Sequence, residues 1–157
     1  MSGTIKVGDK APDFSLPDSN GNTYTLSSHV GLYPIVIFFY PKDNTLICTK
    51  EVCAFRDKFN ELNKIGNAQV VGISADSVKS HRDFSDMNNL PFPLLSDEDN
   101  EVRKLYGAPK TFGLFPGRVT YILDENGILC HIFSSQLNYK AHVKEAITAL
   151  TKMKGGV

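Results

Sequence analysis

The chain carries no surplus of either charge: Lys and Arg together number 17, and Asp and Glu together number 17. No whole-chain field gathers nucleic acid or an anionic membrane, so neither is expected as a partner. No apolar run approaches the roughly 20 residues that a spanning helix needs. The start, Met1-Ser2-Gly3-Thr4-Ile5-Lys6, lacks the apolar segment of a signal peptide. A cytoplasmic location is expected; a targeting peptide already removed would leave no trace, so an organelle interior is compatible too. Cysteine is scarce, at three residues, which is odd in number and too sparse for a secreted disulfide scaffold. A reducing compartment is favoured, where a close cysteine pair points to chemistry or metal more than to stapling. Internal repeats and low-complexity segments are absent. What remains, 157 residues with 41% hydrophobic and 22% charged, reads as one globular domain over 1–157.

The order of elements follows from periodicity. Ala11 to Leu16 and Thr23 to Leu26 flank an Asn-Gly step within Pro17 to Asn22, a hairpin signal. Ile35 to Tyr40 is continuously apolar, the pattern of a central strand covered on both faces. From Thr45 the period changes: Val52, Phe55, Phe59 and Leu62 mark one face of a helix ending near Ile65-Gly66. Gln69 to Ser74 supplies a second strand, and Asp76 or Ser77 caps a helix over Val78 to Met87, closed by Pro91 and Pro93. Leu94-Leu95 is a short strand. Glu98 to Tyr106 is a short helix with Val102, Leu105 and Tyr106 as its apolar side and Gly107 as its stop. Gly107 to Gly117, with Pro109, Gly113 and Pro116, reads as a loop. Val119 to Leu123 and Ile128 to Phe133 form a second hairpin around Asp124 to Gly127. Asn138 caps a last helix whose stripe is Val143, Ala146, Ile147, Leu150 and Met153. Early βα alternation gives a parallel core and the late hairpin adds antiparallel strands. The predicted class is α/β: a thioredoxin-like three-layer sandwich with a central mixed β-sheet and an added N-terminal β-hairpin.

Chemistry concentrates where the first strand passes into its helix. Cys48 falls in the first helical turn, three residues after Thr45. Unpaired N–H groups and the positive end of the helix dipole favour a thiolate or a bound oxyanion there. Cys53 lies five residues further on and, beside Val52 and Phe55, is core or a second redox thiol. A zinc site would need four ligands, and His29, His81, His131 and His142 are scattered. Cys130-His131 are neighbours in a strand and point to opposite faces. Neither a metal nor another cofactor is expected. A dithiol oxidoreductase usually spaces its cysteines by two residues, and this pair is spaced by four. Cys130 shares its strand face with Ile128 and Ile132 and is predicted in the core.

Pro41, Thr45 and Cys48 together match the active-site signature of the peroxiredoxins: a proline, three residues, a threonine, two residues and the peroxidatic cysteine. Glu51 stands where that family often has Glu or Gln, and Arg118 where it has an arginine. Cys53 is similar to the resolving position of the bacterioferritin-comigratory or Q subfamily, the atypical 2-Cys kind. The resemblance runs from Gly8 to Phe14 through Leu94 to Asp97 and on to Gly117-Arg118. Leu46-Ile47 departs from the Pro-Gly that relatives frequently carry.

The resemblance implies a thiol peroxidase that reduces hydrogen peroxide and alkyl hydroperoxides and is recycled by thioredoxin or a similar dithiol. It implies a Cys48 sulfenic acid condensed by Cys53 to a disulfide. Thr45 is expected to accept from the peroxide and donate toward the thiolate, and Pro41 to shape the loop and screen it from water. Glu51 is expected to hold Arg118, which stabilises negative oxygen. The alternative is a non-enzymatic redox sensor or adaptor on the same fold. If both cysteines are helical, their Cα atoms lie roughly 8.6 Å apart by ideal helix geometry. A disulfide wants about 4.4 to 6.8 Å, so the helix is predicted to open on oxidation.

Overall fold

Alternate residues of the strand Ile35–Phe39 (β3) belong to two different cores, and that division organises the molecule. Ile35, Ile37 and Phe39 pack with Phe14, Tyr24, Leu26, Val102 and Tyr106 on one face. Val36, Phe38 and the following Tyr40 pack with Val52, Phe55, Leu62, Phe84 and Leu150 on the other. Strand side chains alternate in direction, so a strand apolar at every position has to be covered twice.

The computed structural model describes residues 5–108, 110–111 and 115–155. A hairpin of β1 (Ser15–Pro17) and β2 (Thr23–Thr25) precedes β3. Then come α1 (Leu46–Asp57), α2 (Phe59–Asn63), β4 (Gln69–Ser74), α3 (Val78–Asn88) and β5 (Leu94–Ser96). The second half holds α4 (Glu101–Tyr106), β6 (Lys110–Thr111), β7 (Phe115–Pro116), β8 (Val119–Leu123), β9 (Leu129–Ser134) and α5 (Tyr139–Gly155). Five strands form the central sheet in the order β5-β4-β3-β8-β9. β3, β4 and β5 are parallel, whereas β8 is antiparallel to both β3 and β9. Residues of α1, α2, α3 and α5 cover one face; α4 and the N-terminal hairpin cover the other. The chain is therefore an α/β protein with the three-layer, thioredoxin-like mixed sheet.

Local chemistry sets the element ends. Ser77 caps α3 by accepting from the Ser80 N–H at 3.1 Å, and Asn138 accepts from the Ala141 N–H at 3.3 Å at the start of α5. Gly107 closes α4 at φ 68°, a conformation glycine adopts at no steric cost. A Cβ on Gly72 would sit 2.7 Å from Phe38 and 2.8 Å from Leu94, so β4 approaches its covering side chains closely there.

Five expectations are corrected. The helix from Thr45 is two helices, because Lys58, at φ −102° and ψ 4°, interrupts it while the apolar stripe continues into Leu62. The last short helix begins at Glu101 and not at Glu98. Asp97 uses its carboxylate to accept the N–H groups of Val102 and Arg103, and Asn100 is left-handed, so residues 97–100 form the turn before it. Leu105 is 42% exposed, and Arg103 is buried in its stead. Within the predicted loop after Gly107, β6 and β7 pair antiparallel; Pro109 and Gly113 lie outside the described residues. Cys130 is half-buried: Leu123 pairs with Leu129 and Ile122 with His131, so Cys130 is the extra residue of a β-bulge.

Candidate active site

The parallel strand β3 ends at the loop 41–45, which hands the chain to α1. Pro41 is the half-buried first residue of that loop, and Thr45 is its exposed last one, in extended conformation before the helix. Cys48 follows in the first turn of α1, 1% exposed. Five strands away in sequence, β8 begins beside β3, and the residue just before it is Arg118, 3% exposed. Sheet pairing thus brings Arg118 over the start of α1.

There one guanidinium nitrogen serves two partners. Arg118 Nη1 donates to Glu51 Oε1 at 2.7 Å and to Cys48 Sγ at 3.3 Å. Its Nε donates to the Gln136 carbonyl at 3.0 Å, which fixes the plane of the group. Burial works against the Arg118 charge, but Glu51 and Cys48 outweigh it and hold Arg118 above its ordinary value. Burial pushes Glu51 up to about 7 in spite of Arg118. Among the described residues Glu51 Oε2 has no hydrogen-bond partner, and His142 Nδ1 lies 3.7 Å from it.

Burial favours a neutral His142. Its Nε2 faces the Ser135 carbonyl at 2.7 Å and must carry the proton, so Nδ1 accepts from the Thr120 hydroxyl at 2.8 Å. Burial lowers His142 to about 4, in keeping with that tautomer. Arg103 supports the site from behind: its Nη1 donates to the Gly117 carbonyl at 3.0 Å, next to Arg118.

Thr45 is placed differently from expectation. Its hydroxyl donates to the Lys42 carbonyl at 3.0 Å, so the proton predicted to point at the thiolate is committed to the loop, and only acceptor lone pairs remain. Cys53 is half-buried on α1, its thiol donating to Asn88 Oδ1 at 3.5 Å. Both cysteines are helical. The structure thus brings Cys48, Glu51 and Arg118 into contact and leaves Thr45, Pro41 and Cys53 around them.

Several neighbours escaped the sequence reading: Asp43, His81, Thr120, His142 and Arg103. Their signal is faint, because nothing in the local sequence marks which of the chain's polar residues the sheet will bring together. Asp43, Asp76 and His81 are also grouped closely enough to hold a metal ion. In this structure each is engaged in hydrogen bonds that tie the loop to its neighbours, as described below.

Comparison with known proteins agrees with this geometry. Residues 7–132 match the model of the AhpC/TSA family. Peroxiredoxin Q of Oryza sativa subsp. japonica, named as chloroplastic, is 44% identical over 154 residues, covering 98% of this chain and 70% of the relative. The Sedum lineare protein of the same name is 45% identical over 151 residues, 96% of this chain and 80% of the other. Among solved structures, the peroxidoxin BcpB of Mycobacterium tuberculosis superposes with a TM-score of 0.87 at 34% identity, covering 95% of this chain and 98% of that one. The bacterioferritin comigratory protein of Xanthomonas campestris, whose structures concern alkyl peroxide reduction, gives 0.84 at 31% identity, covering 96% and 98%. A buried helix-start cysteine under an arginine, on this sheet and over this length of likeness, places the chain in the AhpC/TSA family, among the peroxiredoxins of the Q or bacterioferritin-comigratory kind.

Proposed function

We propose that this thiol-dependent peroxidase reduces hydrogen peroxide and alkyl hydroperoxides at Cys48 and resolves the product with Cys53. The observation that carries the reading is the Arg118 guanidinium 3.3 Å from Cys48 Sγ at the N-terminus of α1. Attack of a Cys48 thiolate on one peroxide oxygen forms the S–O bond and breaks O–O. The other oxygen leaves as hydroxide or alkoxide and takes up a proton. Arg118 and the free N–H groups of the helix start are aimed where that negative charge develops. Thr45, with lone pairs to spare, accepts the peroxide O–H and orients the O–O bond. Glu51 fixes Arg118, and Pro41 shapes the loop at the strand's end.

The Cys53 thiol then displaces water from the Cys48 sulfenic acid, giving an intramolecular disulfide. An external dithiol of the thioredoxin type returns the pair to thiols by two exchanges. On this reading the chain works as a single domain and a monomer, in a compartment that supplies such a reductant, the cytoplasm or an organelle interior. No helix among the described residues is long and apolar enough to cross a membrane.

A coupled peroxide-consumption assay with thioredoxin and its reductase tests the reading. Cys48→Ser is expected to abolish turnover and Cys130→Ser to leave it near wild type. Cys53→Ser should react once and stall as a sulfenic acid trapped by dimedone. Equal losses from Cys48→Ser and Cys130→Ser, or full turnover by Cys53→Ser, would overturn these assignments.

A further inference from the structure

The loop that delivers Thr45 and Cys48 turns one charged side chain into the protein. Between Tyr40 and Cys48, Asp43 alone is buried, at 3% exposure, while Lys42, Asn44, Thr45 and Leu46 are exposed. A carboxylate there has to be matched by donors, or burial would expel it. Asp43 Oδ1 accepts from the Tyr40 hydroxyl at 2.5 Å. Its Oδ2 accepts from Ser80 Oγ at 2.8 Å and meets His81 Nδ1 at 2.8 Å. Its backbone N–H donates to Asp76 Oδ2 at 2.8 Å, an oxygen that also accepts from Ser74 Oγ at 2.6 Å. The end of β3, the end of β4 and the first turn of α3 are thereby tied to one residue of the loop.

Proton counting gives the state of the His81 contact. His81 Nε2 faces the Leu95 carbonyl at 3.0 Å, and a carbonyl has no hydrogen to offer, so Nε2 carries one proton. Nδ1 then confronts a carboxylate oxygen, which is tolerable only if a second proton lies between them. Burial and the Asp43 carboxylate push the Tyr40 hydroxyl well above its ordinary value, so Tyr40 stays a donor and cannot supply that proton. His81 and Asp43 therefore share it as a buried pair, both fully enclosed.

The anchor reaches the reacting end of the loop in two steps. Lys42, the residue before Asp43, presents the carbonyl that takes the Thr45 hydroxyl proton at 3.0 Å. Thr45 in turn accepts at its own carbonyl from the Thr49 N–H at 2.9 Å and the Thr49 hydroxyl at 2.7 Å, which joins it to α1. Because Asn44, between them, sits at φ 63°, the loop makes its turn immediately after the anchored residue. We infer that Asp43 and His81 are positioning residues for the peroxide step: their proton-sharing pair fixes the loop so that the Thr45 hydroxyl donates to Lys42 and turns its lone pairs to the peroxide. This rests on the Thr45 role given above.

The test is a double-mutant cycle on the full chain. It reads the second-order rate of Cys48 oxidation by hydrogen peroxide, followed by rapid quench and thiol labelling, with the rate of Cys48 alkylation by iodoacetamide alongside. Asp43→Ala is expected to slow peroxide oxidation by about 10- to 100-fold, the cost of a displaced reacting group, and to leave alkylation within about twofold of wild type, since alkylation makes no use of Thr45. Asp43→Asn should recover most of the rate, because its amide donates to a His81 Nδ1 left bare while its oxygen still accepts from Tyr40. In a Thr45→Val background, Asp43→Ala should cost almost nothing further. Should Asp43→Ala not fold, Ser80→Ala takes its place, removing one donor to Asp43 for an expected loss of about threefold that again vanishes with Thr45→Val. Full and additive losses in both backgrounds would overturn the inference alone. A Thr45→Val rate equal to wild type would overturn the Thr45 role and this inference with it.

Discussion

One guanidinium nitrogen donating to both a carboxylate and a sulfur makes Arg118 the residue with most to lose by substitution. Arg118→Ala removes a donor aimed at the leaving oxygen, and losses of that kind run to about 10²- to 10³-fold in rate. It also leaves Glu51, fully buried, without its charged partner, so the carboxyl takes up a proton and the loss of stability grows as pH rises. Arg118→Lys keeps the charge but loses the fork that reaches Gln136 as well, so it should restore the rate only partly. Rapid-quench rates on folded protein check both; an unchanged peroxide rate in Arg118→Ala would remove the arginine from the reaction. At this scale the sequence was informative where a motif has fixed spacing, as for Thr45, Cys48 and Glu51. It was silent where the role depends on a partner far along the chain. His81 lies on a polar helix and becomes meaningful only when α3 docks beside the loop holding Asp43. Thr45 itself was legible as a residue but not as a donor, because its proton goes to Lys42, a local turn contact that no periodicity signals.

Among the elements, α1 is the one whose structure conflicts with its own product. Cys48 and Cys53 are both within Leu46–Asp57, roughly 8.6 Å apart at Cα on an ideal helix, and a disulfide needs about 4.4 to 6.8 Å. The contacts show which half yields. The C-terminal half is fastened to α3, by Arg56 Nη1 donating to the Asn88 carbonyl at 2.8 Å and by the Cys53 thiol on Asn88 Oδ1. The first turn has no side-chain cap, and Leu46 is exposed. Opening should therefore start at residues 46–49 and draw Cys53 away from Asn88. Amide hydrogen exchange on reduced and disulfide forms is expected to lose protection over residues 46–56, with Ile35–Phe39 unchanged; equal protection in both forms would show that the bond closes without unwinding. Strands and helices of this kind are legible because burial on one or two faces imposes a period. Gln69–Ser74 came out to the residue for that reason. Irregularities are not legible: the Lys58 interruption leaves the apolar stripe intact, and the Cys130 bulge reverses an alternation that the sequence alone continues.

For the whole molecule, the balance of 17 positive and 17 negative residues leaves the buried titratable groups to set much of the acid response. Two of them touch and act in opposite directions. Glu51 is raised by burial to about 7, so the folded state holds its proton more tightly than the unfolded chain. Its contribution is fully present below about 4.5 and is lost as pH rises through 7. His142 is lowered by burial to about 4, so the folded state refuses a proton that the unfolded chain accepts. Its contribution is present above about 6.5 and is lost as pH falls through 4. The two shifts are of similar size, each worth on the order of 3 kcal/mol. Between pH 4.5 and 6.5 one gain offsets the other loss, so the pair should give stability little pH dependence in that window. Single substitutions expose the cancellation. His142→Gln should gain on wild type as pH falls from 6.5 toward 4, and Glu51→Gln should fall behind wild type as pH drops from 7 toward 4.5. Urea midpoints for the three proteins across that range, compared at constant m, give the differences directly. Differences from wild type that stay flat with pH would mean that neither group changes its proton affinity when the chain folds. A Glu51→Gln difference that stays flat down to about pH 4.5 and turns only below it, beside a sloping His142→Gln difference, would mean that the Glu51 carboxyl stays ionised in the fold, held by Arg118 against the cost of its burial.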